Sequence, residues 1–364
     1  MKLPLRILTC LLAVLLTLEV CARVDDWISF GAPLLSSYDV SALYVLDDGV
    51  QRGKPLGRYR NWQLNSLGLR GPELTPGSQR ILTIGASETF GMLETPGMEY
   101  PRQLERLLRD ALPDRRIDVA NLSYFGLTLA TANKLLPQVM QQVRPTIVFI
   151  YPSYGGYVAR RHLEVAPDTA PADPAPTLRL PGKLADLLKA QLPPKLQTAL
   201  KQREIDAYVN GRAVVEHMPE DRAQFLRSDL ENLVATIRAY GAQPVIATHA
   251  TRFNNDPGHA DGSFVVSWRK FYPLFSANAL FEMEEQLNAT VRQFAAERDV
   301  PLVDAAAALP GGSRNFSDHE HFTDAGAAAL ARLVEQTTVA MLRNRAPLVK
   351  DASAGIAATT TGDR

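Results

Sequence analysis

Two short polar clusters in the sequence carry side chains that could do nucleophilic chemistry. The first, Gly85-Ala-Ser-Glu-Thr-Phe-Gly91, places Ser87 on a turn where its hydroxyl can project while glycine lets the backbone bend. The second, Asn315 to Gly326, contains Asp318 and His321, three residues apart on one side of a turn. That spacing lets the carboxylate hold one ring proton and leaves the other ring nitrogen free as a base. For Ser87 alone, a helix-capping role is the ordinary interpretation.

Other kinds of site fit these clusters less well. The first cluster has Thr89 where a G-x-S-x-G nucleophile turn needs its last glycine, and no G-K-[ST] follows as in a phosphate-binding loop. His319 and His321 could form a metal-binding pair with Asp318 or Glu320, but a hydrolytic zinc site needs three ligands and no third motif accompanies them. We therefore predict neither a metal nor a cofactor.

Two further polar residues near these clusters have alternative interpretations. His249 follows a predicted strand and could line a pocket at the functional edge of the sheet, although a hydrogen-bonded structural histidine is the commoner case. Glu88 is interpreted as a carboxylate in the first turn of a helix rather than as a second catalytic acid.

The polar clusters follow hydrophobic segments that alternate with segments of helical periodicity. The predicted strands cover residues 80–84, 117–120, 146–150, 244–248 and 300–303. The predicted helices cover residues 104–112, 128–143, 219–240, 278–298 and 324–343. This alternation predicts an α/β fold, a doubly wound and mostly parallel five-stranded sheet with helices on both faces. In such sheets the sites form in loops at the carboxyl ends of the strands.

Composition excludes several classes of protein. The chain has 364 residues, 39 basic and 39 acidic side chains, 46% hydrophobic and 21% charged residues, as is ordinary for a globular protein. Zero net charge gives no case for a nucleic-acid partner. The two cysteines, Cys10 and Cys21, both precede the body, which therefore has no disulfide scaffold and no cysteine-based zinc site.

The N-terminal segment is typical of an export signal. Lys2 and Arg6 precede the apolar run Ile7 to Leu18, whose twelve residues suit a signal peptide better than a full membrane span. Cleavage after Ala22 and an uncleaved anchor through residues 3–22, held in the inner membrane, both remain open. Either interpretation predicts an exported body that is periplasmic, secreted or anchored facing the periplasm.

The remaining chain divides into an α/β domain and its additions. We place the boundaries at residues 1–22 (signal or anchor), 23–76 (N-terminal extension), 77–345 (the α/β domain) and 346–364 (a disordered tail). An insertion at 156–218 contains a Pro/Ala linker, and helical spacing over 184–200 predicts that it folds over the sheet as a lid.

The clusters, taken in order, resemble a known family. Gly85 to Gly91 is similar to the Gly-Asp-Ser block of the SGNH (GDSL-type) esterases and lipases, and Asp318 to Gly326 resembles that family's closing Asp-x-x-His block. Asn121-Leu-Ser-Tyr-Phe-Gly126 follows the second strand as the family's second block does, and Asn65 to Glu73 resembles the lead-in of exported, membrane-associated members. The match covers about residues 61–343 outside the insertion, and it implies the flavodoxin-like SGNH hydrolase fold.

The resemblance also implies roles for individual residues. Ser87 would be the nucleophile, His321 the general base and Asp318 its orienting carboxylate, with the backbone N–H groups of Ser87 and Gly126 in the oxyanion hole. The family's third block supplies an oxyanion-hole asparagine, whereas this chain reads Tyr151 to Gly156 with none. Ser153 or Tyr154 would be the replacement donor, or the backbone N–H of Gly155. Losing one such donor typically costs about 10²- to 10³-fold in rate.

Three functions are compatible with these residues. The leading expectation is an exported serine esterase that hydrolyses a short acyl ester, such as an acetyl group on an envelope or secreted polysaccharide, through acyl-Ser87. The second is an O-acyltransferase that passes the same acyl group to a sugar hydroxyl. The third is a carbohydrate-binding protein on a decayed esterase fold. A Ser87–His321 distance well beyond hydrogen-bond reach would favour the third. The expected partner is an ester-bearing small molecule or an acylated carbohydrate.

Overall fold

Five parallel strands form the central sheet of the computed structural model, which describes residues 2–47, 49–154, 178–254 and 262–343. Two small hairpins precede that sheet, β1 (Tyr44–Asp47) with β2 (Val50–Gly53) and β3 (Arg58–Tyr59) with β4 (Trp62–Gln63). The sheet itself contains β5 (Gln79–Gly85), β6 (Ile117–Ser123), β7 (Ile147–Ile150), β8 (Gln243–Ala247) and β9 (Leu302–Val303). Its order is β6-β5-β7-β8-β9, the 2-1-3-4-5 order of flavodoxin-like folds. The predicted parallel five-stranded α/β architecture is confirmed.

Helices cover both faces of the sheet, also as predicted. The helices of the described residues, including those away from the sheet, are in chain order α1 (Lys2–Phe30), α2 (Ser87–Phe90), α3 (Tyr100–Ala111), α4 (Leu129–Val143), α5 (Leu180–Gln191), α6 (Pro194–Val209), α7 (Arg222–Ala239), α8 (Gly262–Phe271), α9 (Ala277–Glu297), α10 (Ala305–Ala308) and α11 (Asp324–Arg343). On one face α4, α7 and α9 pack their apolar stripes against the sheet. On the other face α3 and α11 do so. Because the sheet is covered on both faces, the central strand β7 is apolar throughout.

Some element boundaries differ from those predicted. β6 continues three residues past Ala120 and buries Asn121 and Ser123, because both pair with β5. β9 is reduced to two residues after Pro301, since proline has no N–H to donate to a ladder. The single helical segment expected over 184–200 is two helices, separated at Leu192 and Pro193, because proline cannot continue the first helix and is tolerated in the first turn of the next.

The N-terminal extension packs against the edge of the sheet and against α2. Arg70 N–H donates to the carbonyl of Asn121 at 2.9 Å, and the Arg70 guanidinium lies 5.1 Å from the ring centre of Phe90. Leu43 and Leu64 share a small apolar cluster with Phe90. The segment that resembles an exported family's lead-in therefore supports the helix that begins at Ser87.

Helix α1 and the insertion lie outside the sheet. Pro4–Phe30 is long and apolar enough to cross a membrane and is mostly exposed. Glu19 accepts backbone N–H bonds from Arg179 and Leu180, which ties the start of α5 to α1. Helix α6 packs against α8. The Pro/Ala linker and the tail, both predicted to be irregular, fall outside the described residues.

Candidate active site

The turn after β5 holds Ser87 as the first residue of α2. Gly85 is required there, because a Cβ on it would collide with the Thr89 side chain. The Thr89 hydroxyl lies 3.1 Å from the Tyr100 hydroxyl, and Asn121 Nδ2 donates to the Thr89 carbonyl at 3.0 Å. Buried polar contacts therefore fix the short helix from two sides and leave Ser87 at the carboxyl end of β5.

The loop before α11 brings the second cluster to the same place. Phe316 and Phe322, both fully buried, form an antiparallel bridge that closes the loop. Asp318 Oδ1 accepts the backbone N–H groups of Glu320 at 3.0 Å and of His321 at 2.8 Å. The aromatic pair and these backbone bonds hold the acidic and imidazole side chains in one orientation.

The three residues assigned by resemblance meet in one hydrogen-bonded chain. Asp318 Oδ2 lies 2.8 Å from His321 Nδ1, and His321 Nε2 lies 2.9 Å from Ser87 Oγ. His321 is only 3% exposed, which limits competition from water. A carboxylate on one ring nitrogen and a hydroxyl on the other is the arrangement that lets an imidazole take a proton from a serine.

The surroundings of this hydrogen-bonded chain favour the charged forms of Asp318 and His321. Burial by itself raises the pKa of Asp318, but the His321 hydrogen bond and the nearby imidazoles outweigh it and hold that pKa well below its usual range. Burial lowers the pKa of His321, whereas its bond to Asp318 and the carboxylates of Glu320, Asp318 and Glu88 raise it to about 9. The resting imidazole is therefore protonated at neutral pH.

Glu94 is a further acidic group near His321. Burial raises the pKa of Glu94 to about 8, although backbone N–H groups and the His321 charge act in the opposite direction. At neutral pH its carboxyl group is therefore largely protonated, and it is a neutral hydrogen-bonding group rather than a second anion.

The residues expected to form the oxyanion hole lie at neighbouring strand ends. Gly126 follows β6 in a left-handed conformation (φ 70°) and lines an exposed cavity of about 310 Å³. Ser153 is half-buried after β7. Tyr154 is fully buried, with its ring centre 4.9 Å from that of His249. Gly155 lies outside the described residues.

A second buried histidine, His249, forms a centre with Glu88 and Glu284 next to Ser87. His249 is fully buried, and its Nε2 lies 3.1 Å from Glu88 Oε1 while its Nδ1 lies 3.0 Å from the carboxylate of Glu284. Asn288 Nδ2 donates to Glu284 Oε1 at 3.0 Å and to the His249 carbonyl at 2.9 Å. Glu88 also approaches Ser87, with 3.2 Å between Glu88 Oε2 and the serine Oγ. Glu88 is thus more than a first-turn carboxylate.

Sequence reasoning considered His249 and Glu88 but missed the centre they form with Glu284. The available signals were the position of His249 at a strand end and the spacing of Glu284 and Asn288, four residues apart on one helix. Neither signal indicates pairing across 161 residues, as between His249 and Glu88.

Three side chains that could bind a metal ion meet at the same place. Glu88, His249 and Glu320 each present a ligand atom within 4.8 Å of the others. However, both nitrogens of His249 face carboxylates, so the ring already has a partner on each side. His319, buried, stacks on Trp268 at 5.8 Å, while His321 is bonded to Asp318 and Ser87. The two histidines of the H-x-H pair therefore have different neighbours.

No family profile matches the chain, and no curated protein sequence is similar to it. Solved structures of ester hydrolases are similar at low identity. A variant of the acetyl xylan esterase Axe2 from Geobacillus stearothermophilus is 17% identical, covering 71% of this chain and 94% of its own, with a TM-score of 0.41.

Two others show a similar degree of likeness. A family 3 carbohydrate esterase from Clostridium thermocellum is 14% identical, covering 73% of this chain and 98% of its own, with a TM-score of 0.41. A GDSL-like lipase from Bacteroides thetaiotaomicron is 12% identical, covering 74% and 91%, with a TM-score of 0.39. These likenesses concern the fold.

Proposed function

We propose that the chain is a serine esterase of SGNH type that cleaves a short acyl ester, with acetyl esters of a polysaccharide as the expected substrates. The observation that supports this most directly is the hydrogen-bonded chain from Ser87 Oγ through His321 to Asp318. The Ser87–His321 distance of 2.9 Å lies within hydrogen-bond reach. A long distance between these two side chains would have favoured a non-catalytic binding protein.

The reaction follows from these positions. Ser87 Oγ forms a bond to the acyl carbon while its proton passes to His321 Nε2, and His321 then gives that proton to the departing alcohol oxygen. Water attacks the acyl-serine by the same route, which releases the acid and restores the hydroxyl. Asp318 holds the imidazole and stabilises its positive charge. The backbone N–H groups of Ser87 and Gly126, with a donor from Ser153, would stabilise the oxyanion.

Helix α1 supports export as part of this proposal. Its long apolar face is exposed, and the body begins directly after it. An exported chain would be exposed to protease from outside the inner membrane. Protease digestion of spheroplasts should therefore cut the body of the chain, whereas a body left inside would survive until the cells are lysed.

A serine-reactive probe tests the chemistry. The detergent-solubilised full chain is treated with a fluorophosphonate, and p-nitrophenyl acetate turnover is measured beside it. We expect labelling at Ser87, found by mass spectrometry of the peptide, and loss of labelling and turnover in Ser87→Ala. Labelling that persists in Ser87→Ala would contradict the assignment of the nucleophile. Adding acetylated and unacetylated xylan then compares acyl transfer to sugar with transfer to water.

A further inference from the structure

The hydroxyl of Ser87 has two acceptors within reach rather than one. His321 Nε2 lies at 2.9 Å and Glu88 Oε2 at 3.2 Å. A hydroxyl has one proton, so it can donate to only one of them at a time. When His321 carries a proton on Nε2, that N–H donates to Ser87 Oγ, and Glu88 is then the acceptor left for the serine proton.

The position of Glu88 is fixed from the opposite side. Its side chain is fully buried, and its second oxygen is bonded to His249. His249 in turn contacts Glu284, which Asn288 holds on helix α9. Among the described residues, the groups on the His249 side of Glu88 are buried, so the carboxylate cannot turn away from Ser87 without breaking a buried hydrogen bond.

The bonding pattern constrains where the protons of His249 lie. Ionised carboxylates accept hydrogen bonds and donate none, and a neutral imidazole has only one N–H. His249 faces Glu88 with Nε2 and Glu284 with Nδ1, so both ring nitrogens must donate if both carboxylates are ionised. One imidazolium between two carboxylates leaves a single net negative charge, and a buried charge pair with satisfied hydrogen bonds is tolerated.

We propose that Glu88 is a second acceptor for the Ser87 proton, held against the nucleophile by a His249 that donates from both ring nitrogens, to Glu88 and to Glu284. This rests on the proposed serine-esterase function. Glu88 contacts the reacting oxygen and is a catalytic residue in that sense. His249 and Glu284 act through Glu88 and are positioning residues.

The electrostatic consequence concerns His321. Its protonated form is favoured by every carboxylate that faces it, so removing one should lower its pKa. The ionisable groups facing His321 from its own loop, from α2 and from the segment before α3 are Asp318, His319, Glu320, Glu88 and Glu94. Those facing His249 are Glu88, Glu284, Glu320, Tyr151 and Tyr154.

The decisive experiment measures rate against pH in the full chain. Fluorophosphonate labelling of Ser87 and p-nitrophenyl acetate turnover are followed from pH 5 to 10 in wild type, Glu88→Gln and Glu88→Asp. We expect Glu88→Gln to lower kcat about tenfold, the effect of losing a hydrogen bond to a charged group. We also expect its acid limb to move down by about one pH unit, because a nearby opposite charge is gone.

Glu88→Asp keeps the charge and shortens the side chain by one methylene. It should lose rate but retain the wild-type acid limb to within a few tenths of a unit. The matched control is Glu105→Gln, another buried glutamate, which bonds Arg102, Arg109 and the N–H of Val119 on α3 and β6. This variant should leave the limb unmoved, so a shift caused by general loosening of the fold would be recognised.

Two measurements test the role of His249. In Glu88→Gln, adding His249→Gln should move the limb no further, since His249 acts on Ser87 only through Glu88. Nitrogen-15 NMR of the imidazoles in wild type should show two N–H groups on His249 at neutral pH. This second measurement stands even if the His249 variants fail to fold.

The outcomes separate this inference from the proposed function. A wild type that is not labelled at Ser87 overturns the function, and the inference with it. Labelling of wild type with the same acid limb in Glu88→Gln overturns the inference and leaves the esterase intact. A single N–H on His249, with the second proton on a glutamic acid, also overturns it.

Discussion

Two buried histidines lie close to Ser87, and they differ in the hydrogen-bond partners of their ring nitrogens. His321 has a carboxylate on Nδ1 and a hydroxyl on Nε2. His249 has a carboxylate on each nitrogen. A ring with one hydroxyl partner can exchange its Nε2 proton with that partner. A ring between two carboxylates keeps both protons, because removing either leaves two anions facing each other through a neutral ring.

The comparison shows that burial alone does not separate a base from a structural histidine. His321 is 3% exposed and His249 is fully buried, so both are removed from solvent. Burial by itself lowers the pKa of both rings, yet carboxylate partners raise it in each, well above the usual value for His249 and to about 9 for His321. What differs is whether a reactive hydroxyl is one of the partners. We therefore expect His321 to control rate and His249 to control stability.

The largest expected effect is on rate, at His321. His321→Ala should lower kcat for p-nitrophenyl acetate by about 10⁶-fold, the scale seen when a triad histidine is removed. The free energy of unfolding in urea should fall by about 1–3 kcal/mol, less than at His249, because Asp318 is partly exposed and retains its backbone N–H bonds. A variant that keeps most of its turnover would show that the two centres have been assigned the wrong way round.

Next in size is the orienting carboxylate. Asp318→Asn keeps the shape of the side chain, but it removes the charge that stabilises the imidazolium and permits the wrong ring tautomer. We expect kcat to fall by about 10⁴-fold, with KM changed little, since Asp318 binds no part of the substrate. Steady-state kinetics with the same ester measures both. A large rise in KM at constant kcat would instead place Asp318 in substrate binding.

At the centre formed by His249, Glu88 and Glu284, the main effect is expected on stability. His249→Ala leaves the carboxylates of Glu88 and Glu284 buried without their shared cation, and breaking a buried pair in this way costs about 3–5 kcal/mol. Urea unfolding of the His249→Ala and His321→Ala chains compares the two sites directly. Replacing all three members, as Glu88→Gln, His249→Ala and Glu284→Gln, should recover part of the loss, because no unpaired charge then remains. Equal stability of the two single variants would remove the distinction between the centres.

Much of the first centre could be predicted from the sequence, and the reason is local. Ser87 follows a strand directly, and Asp318 and His321 share one turn, so short motifs and the rule of strand carboxyl ends bring them together. The parallel α/β class also follows from alternating periodicity, whereas the flavodoxin-like arrangement is implied only by the family resemblance. The second centre depends on side chains from α2, the β8 loop and α9 meeting in the interior. Only tertiary packing brings those three together, and no spacing in the sequence encodes it.

The smallest effect is expected on pH dependence, and it comes from Glu320. Only the deprotonated His321 can accept the serine proton, so kcat/KM should rise with pH and level off above a midpoint near the imidazole pKa of about 9. The same proton stabilises the fold: that contribution is complete below the ordinary pKa of about 6.5 and is lost as pH rises through about 9. Glu320 Oε1 lies 4.0 Å from His321 Nε2 and favours the charged ring. Glu320→Gln should therefore move the midpoint of kcat/KM down by about one pH unit. A midpoint that moves up, or that remains near 9, would mean that Glu320 does not favour the charged ring.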